Sequence, residues 1–132
     1  MKVKGFSSKN QGVGATFEDI FIIDGRRTPF GKMKGSFATV SPTDLAIMSS
    51  KAVIKESGID PALIDQTIAA NICAGSADSF FLARHISLYS GAPVSAPAVL
   101  SQRICGSGIE VIGQGAEQIA LGKGHLLLAT GT

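Results

Sequence analysis

Cysteine, histidine and charge are all scarce in this 132-residue chain. Two cysteines, Cys73 and Cys105, are too few to frame a disulfide scaffold. Neither has a histidine or second cysteine at the short spacing of a metal site. A reducing compartment is therefore the expected setting, with the cytoplasm as the default. Charged side chains make up 17% of the residues and form no acidic or basic block. That pattern argues against long disorder and against a nucleic-acid-binding surface. Long apolar runs are missing too, since no stretch approaches the roughly 18 residues of a membrane span. Residues 1–15 carry lysines but no apolar segment of the kind a signal peptide needs.

What is present is apolar and small: 45% of residues are hydrophobic, and 16 are glycine. The length suits one domain, which can bury roughly two-thirds of its unfolded surface. A mean hydropathy of +0.29 exceeds what a small monomer usually shows, so burial against another chain is expected. The net charge of +2 conceals an asymmetry, because residues 1–34 hold seven Lys/Arg against three Asp/Glu. This reads as a solvated basic arm, which a phosphate-rich ligand would also feel.

Residues 1–18, rich in Gly, Ser, Lys and Asn without periodicity, read as a flexible extension, leaving residues 19–132 as the folded domain. Ile20-Phe21-Ile22-Ile23 is a continuous apolar run stopped by Asp24-Gly25, the pattern of a strand covered on both faces. Ser41-Pro42-Thr43-Asp44 then offers a cap, a first-turn proline and an acid suited to a helix N-terminus. The helix it opens is expected to turn Leu45, Ile47, Met48 and Ala52 inward and to stop at Ser57-Gly58. Asp60-Pro61 marks a shorter cap ahead of a strand over residues 67–73. A second helix is expected over 78–90, then a Pro-bounded strand over 96–100 and a third helix over 106–121. That helix should bury Ile109, Ile112, Ala116, Ile119 and Ala120, and Leu126-Leu127-Leu128-Ala129 supplies a last strand. Alternating strands and helices predict an α/β class with a layered sheet and helices on both faces. In such sheets chemistry gathers at the carboxyl ends of strands, and Cys105 falls at one of these junctions.

A thiol attacks as its thiolate, which the amides and dipole of a helix N-terminus favour. In Arg103-Ile104-Cys105-Gly106-Ser107-Gly108 the glycines leave room for a sharp turn and for an acyl chain close to sulfur. The cysteine's own amide could also face a developing oxyanion. Position alone does not separate this reading from a second one, in which Cys105 is a small buried hydrophobe beside a flexible turn. Cys73, inside an apolar run, reads as core.

Cys105-Gly106-Ser107-Gly108 ahead of a small-residue helix, taken with Arg27-Thr28-Pro29-Phe30-Gly31, resembles the N-terminal half of thiolases. The resemblance runs from about Phe21 to Thr132 and includes Gly58-Ile59-Asp60-Pro61, Ala83-Arg84 and Ala129-Thr130-Gly131-Thr132. It implies an incomplete N-terminal half of the layered thiolase fold, with a mixed, mostly parallel sheet. It also implies that Cys105 is the nucleophile acylated by an acyl-CoA or 3-ketoacyl-CoA, passing through a cysteinyl thioester. Coenzyme A and its thioesters would be substrates, with no permanently bound cofactor and no metal. Arg27-Thr28-Pro29 would be structural.

The family's activating histidine, second cysteine and coenzyme A-binding region have no counterpart in these residues, and His85 and His125 fit neither role. The expectation is a longer enzyme or a homo- or hetero-oligomer whose other polypeptide supplies the C-terminal thiolase half. One more strand is expected to complete the sheet. Phe80-Phe81-Leu82 stands where relatives carry Gln-Asn-Pro; its aromatics read first as core, and otherwise as the wall of an acyl pocket. A ketoacyl-synthase relative shares the fold and the cysteine position, although the Arg27 motif and Gly-Ser-Gly fit thiolases better. A non-catalytic thiolase-like scaffold subunit is the non-enzymatic alternative.

Overall fold

The computed structural model describes residues 3–10, 12–73 and 75–132. Met1, Lys2 and Gln11 of the expected extension, and Ala74, lie outside the described residues. The extension is not without structure. β1 (Val3–Ser8) and β2 (Gly12–Phe17) form an antiparallel hairpin in which Val3 faces Phe17 and Phe6 faces Gly14. Gly12 takes a φ of 75° at the turn side, a conformation glycine adopts without penalty. Both strands are exposed almost throughout, so the hairpin stands apart from the core.

The core is built around a parallel sheet of β3 (Gln66–Ala70), β4 (Ala98–Ser101) and β5 (Leu127–Gly131), in the order β4-β3-β5. Central β3 pairs Ile68 with Val99 on one side and with Ala129 on the other. Its residues Thr67, Ile68, Ala69 and Ala70 are no more than 2% exposed, as expected of a strand covered on both faces. Alternation sorts them into two layers. Ala69 joins a cluster with Ala46, Leu82, Ala83 and Ile86 from α1 (Pro42–Ser57) and α2 (Leu82–Tyr89). Ile68 and Ala70 face the other way, against Val111 of α3 (Ser107–Ala120). This is the layered α/β arrangement with helices on both faces.

The first expected strand is the main departure. Residues 20–23 form no ladder, and Phe21, Ile22 and Ile23 are 80%, 76% and 64% exposed. A strand needs a paired edge, and among the described residues this run pairs with none. It borders a groove of about 570 Å³ whose other walls include Ile54 of α1, Ile112 and Ile119 of α3, and Leu128. The edge of β5 that does not face β3 is unpaired among the described residues.

Helix ends follow the sequence closely, whereas helix faces do not. Ser41 Oγ accepts the Asp44 amide at 3.0 Å and donates to the Asp44 carboxylate at 2.9 Å, and Gly58 closes α1 with a φ of 69°. The buried stripe is Thr43, Ala46, Ser50 and Ile54 rather than the expected Leu45, Met48 and Ala52; Met48 is 58% exposed. Small side chains let α1 lie close to α2, and that contact sets its rotation. In α3 the buried residues are Ser107, Val111 and Gly115, while Ile109 is 80% exposed and Ile112 faces the groove. The second helix divides into a 3-10 turn at Ser79–Phe81 followed by α2. β3 ends at Ala70, so Cys73 lies beyond the sheet and is exposed rather than core.

Asp78 ties the segment before α2 to its surroundings. Its carboxylate accepts Ser76 Oγ at 2.6 Å and Thr43 Oγ1 of α1 at 3.1 Å, and lies 2.8 Å from His85 Nδ1 of α2. The Ser76 and His85 bonds hold its pKa down, from 3.8 to about 2. A carboxyl that binds its proton less tightly when folded stabilises the fold above pH 3.8, and that contribution drains away as the pH falls toward 2. Denaturant titrations across pH should therefore show Asp78→Asn less stable than wild type near neutrality, with the gap closing below pH 3.8. A gap that does not change with pH would contradict this. Ser41→Ala should cost about 0.5–2 kcal/mol in the same measurement at neutral pH; no loss would show that the cap is not holding α1.

Candidate functional site

The carboxyl end of β4 runs directly into a tight elbow that carries Cys105. Ser101 ends the strand, Ser107 opens α3, and the five residues between must reverse the chain. The Gly106 amide donates to the Arg103 carbonyl at 3.0 Å, and the Ser107 amide to the Ile104 carbonyl at 3.1 Å. Glu110 then closes the first helical bond, onto Gly106. The Gly108 and Ile109 amides belong to the helix's first turn, where the α-helical ladder offers no partner. Cys105 is exposed at the apex of this elbow.

The left-handed residue in the elbow is Ile104, with a φ of 48°. The flanking glycines had seemed the natural place for a special conformation, but Gly106 has a φ of −84° and Gly108 is helical. A β-branched residue at positive φ costs on the order of 1–3 kcal/mol. Burial of its side chain does not offset this, since Ile104 is 62% exposed. The surroundings must hold it. Ser107 Oγ accepts the Arg103 amide at 2.7 Å and donates to the Ile104 carbonyl at 2.6 Å, bracketing the strained residue. A Cβ on Gly131 of β5 would lie 3.7 Å from the Gly108 Cα, an ordinary contact, and one on Gly108 would meet open space, so the helix start and the strand end lie side by side without either glycine being required for the approach.

Neighbouring contacts fix the elbow from outside. Gln102 Nε2 donates to the carbonyls of Asn71 and Ile72 at 3.4 and 2.8 Å, tying it to the segment that leads to Cys73. Arg103 pairs with Glu110 at 2.6 Å across the helix start, and Gln114 reaches back to Ser101 Oγ at 2.9 Å. The Thr132 amide donates to the Ala70 carbonyl at 3.0 Å and its hydroxyl to the Pro42 carbonyl at 2.8 Å. The starts of α1 and α3 thereby gather at the carboxyl ends of the strands. Arg27 and Thr28 arrive at the same end, lining a cavity of about 280 Å³ with Gly108, Thr130 and Gly131. Arg27 stacks on Phe30, 4.8 Å from the ring centre, and bonds the Thr28 carbonyl. Arg84 anchors α2 to the loop before β4 through the Ala96 and Val94 carbonyls at 2.6 and 2.7 Å.

Neither histidine serves the cysteine. His125 precedes β5, at the opposite end of a parallel sheet from Cys105, a strand length of roughly 16 Å away. Its amide, with that of Leu126, donates to Asp65 and lowers that carboxyl's pKa. His85 is held by Asp78 and flanked by Phe81 and Tyr89. Among the described residues, no ionisable side chain bonds Cys105. Phe80 and Phe81 are 87% and 65% exposed, so their expected place in the core is corrected: they lie on a 3-10 turn that points them outward. Sequence reasoning missed the strain at Ile104 and the double bond of Ser107. A serine two residues after the cysteine, at a helix's first position, was the available signal for the second.

The architecture and the elbow can now be set against known proteins. Residues 20–132 match the family model described as "Thiolase, N-terminal domain". Bovine mitochondrial 3-ketoacyl-CoA thiolase is 33% identical over 118 residues, covering 89% of this chain and 30% of that protein. A beta-ketoadipyl-CoA thiolase of Pseudomonas aeruginosa is 36% identical over 116 residues, covering 86% and 28%. Human mitochondrial 3-ketoacyl-CoA thiolase, solved in complex with CoA, superposes with a TM-score of 0.81 at 33% identity over 83% of this chain and 28% of that one. An acetyl-CoA acetyltransferase of Bacillus anthracis gives a TM-score of 0.76 at 31% identity over the same shares. The chain spans about 30% of the length of these relatives. Paired motifs, the parallel sheet with helices on both faces, and these matches agree: the chain belongs to the thiolase family, within its N-terminal domain.

Proposed function

We propose that this chain carries the nucleophile of an acyl-CoA C-acyltransferase, and that the nucleophile is Cys105. The observation that carries the reading is the exposed thiol on a braced elbow at the carboxyl end of a parallel strand, inside the Cys-Gly-Ser-Gly motif. In the forward half-reaction the Cys105 thiolate attacks the thioester carbonyl of an acyl-CoA. The tetrahedral intermediate collapses with cleavage of the carbon–sulfur bond to coenzyme A, which leaves as a thiolate and takes up a proton. The acyl group is left on Cys105 as a thioester. A second acyl-CoA, deprotonated at its α-carbon, then attacks that thioester, forming the carbon–carbon bond of a 3-ketoacyl-CoA and freeing Cys105. The reverse sequence cleaves the same bond.

Proton transfer to and from sulfur and carbon needs groups that these residues do not place near Cys105. We assign them, with the coenzyme A-binding surface, to further polypeptide, either a continuation of this chain or a partner subunit. The chain's 30% share of its relatives supports this, as do the unpaired β5 edge and the exposed apolar run beside it. A closed sheet would have no use for either surface. The complete assembly, treated with acetyl-CoA and digested, should carry the acyl mass on the peptide containing Cys105. Cys105→Ala should lose that label and reduce turnover by about 1,000-fold or more. Acyl mass on Cys73, or on neither cysteine, would refute the assignment, and its absence from both would leave a scaffold role.

A further inference from the structure

We infer that Ser107 is a positioning residue for Cys105, holding Ile104 in the left-handed conformation that presents the thiol. This deepens the acyltransferase reading and rests on it. Three observations converge. Ile104, the residue immediately before the nucleophile, has a φ of 48°, which an isoleucine avoids when free to relax. Its own side chain is 62% exposed, so packing does not keep it there. Ser107, by contrast, is only 4% exposed and spends both capacities of its hydroxyl on the elbow, accepting the Arg103 amide at 2.7 Å and donating to the Ile104 carbonyl at 2.6 Å.

The two bonds reach the two sides of Ile104. One holds the Arg103 amide, one peptide before Ile104, and the other the Ile104 carbonyl, which the Ser107 amide also holds at 3.1 Å; the peptide between them is held by the Gly106 amide on the Arg103 carbonyl at 3.0 Å. Rotating Ile104 back toward ordinary backbone would shift the groups that these bonds hold and leave the hydroxyl of Ser107, a residue only 4% exposed, short of a partner, which is costly for a buried polar group. The hydroxyl therefore locks a conformation that the local sequence disfavours. Strain held at a nucleophile and stabilised by neighbours is a means of pre-organising attack. The hydroxyl of Ser107 is engaged by two backbone groups. It acts through the backbone.

The assembled enzyme containing this chain supplies the test, with the single-turnover rate of Cys105 acylation by acetyl-CoA as the readout. Ser107→Ala should slow acylation by roughly 10- to 100-fold, the scale of an ångström-sized misplacement, with little change in the acetyl-CoA concentration needed for half-saturation. The decisive variant is Ile104→Gly combined with Ser107→Ala. Glycine occupies positive φ without penalty, so it removes the need for the lock. The double variant should recover most of the lost rate, and Ile104→Gly alone should be far less sensitive to loss of the hydroxyl than wild type. A merely structural serine would not be rescued by a glycine three positions away. Wild-type acylation rates in Ser107→Ala, or no rescue by Ile104→Gly, would overturn the inference while leaving Cys105 as nucleophile. Failure of the wild-type enzyme to acylate Cys105 would instead overturn the acyltransferase reading itself.

Discussion

The parallel pairing of β3 with both of its neighbours is the constraint on which the rest of the molecule depends. Four consecutive residues, Thr67 to Ala70, are effectively removed from water, and their alternation assigns α1 and α2 to one layer and α3 to the other. Register does the remainder. Ala70 stands opposite Ser101 and Gly131, so all three strands end at nearly one level. The Thr132 amide then caps Ala70, and Asn71 Nδ2 donates to the Thr132 carbonyl at 3.1 Å. A slip of one residue would turn Ile68 away from α3 and carry Gln102 out of reach of the Asn71 and Ile72 carbonyls.

On that level edge the Cys105 elbow combines a strained residue with restraints from several elements. Ile104 takes the unfavourable conformation, Ser107 clamps it, Gln102 ties it to the end of β3, and Arg103 with Glu110 spans the helix start. Gly108 and Gly131 lie side by side where the helix starts and the strand ends, and the special backbone falls on Ile104, the residue that looks least suited to it. This follows from topology: a chain leaving β4 must turn within five residues to lay α3 against Ile68 and Ala70.

Features encoded by local chemistry were legible in the sequence. The Ser41 cap, the Gly58 stop, the 66–70, 98–101 and 127–131 strands and the junction at Cys105 each have a nearby cause in capping, turn residues or apolar runs. What depends on distant partners was not legible. Helix faces were misread in α1 and α3 because small residues at Ala46, Ser50 and Gly115 mark the close contacts, while bulkier Met48 and Ile109 remain outside. Cys73 was misread because β3 stops at Ala70, where its neighbours also stop. The β1–β2 hairpin was missed because its pairing arises between two weakly apolar, glycine-bearing segments. Of the candidate site, the position of Cys105 between a strand and a helix was readable from its motif, and the two hydrogen bonds of Ser107 required coordinates.

Residues 20–23, expected as the first strand, form no ladder among the described residues, although the edge of β5 across the groove from them is unpaired. On the function proposed above, the sheet centred on β3 is open beside β5, and further polypeptide closes it and completes the site. Hydrogen exchange tests this most directly, because backbone amides are protected only when paired. In this chain alone the amides of residues 67–70 should exchange most slowly and those of residues 20–23 rapidly. In the complete assembly residues 20–23 should become protected. Protection of residues 20–23 equal to that of β3 in the chain alone would contradict the account.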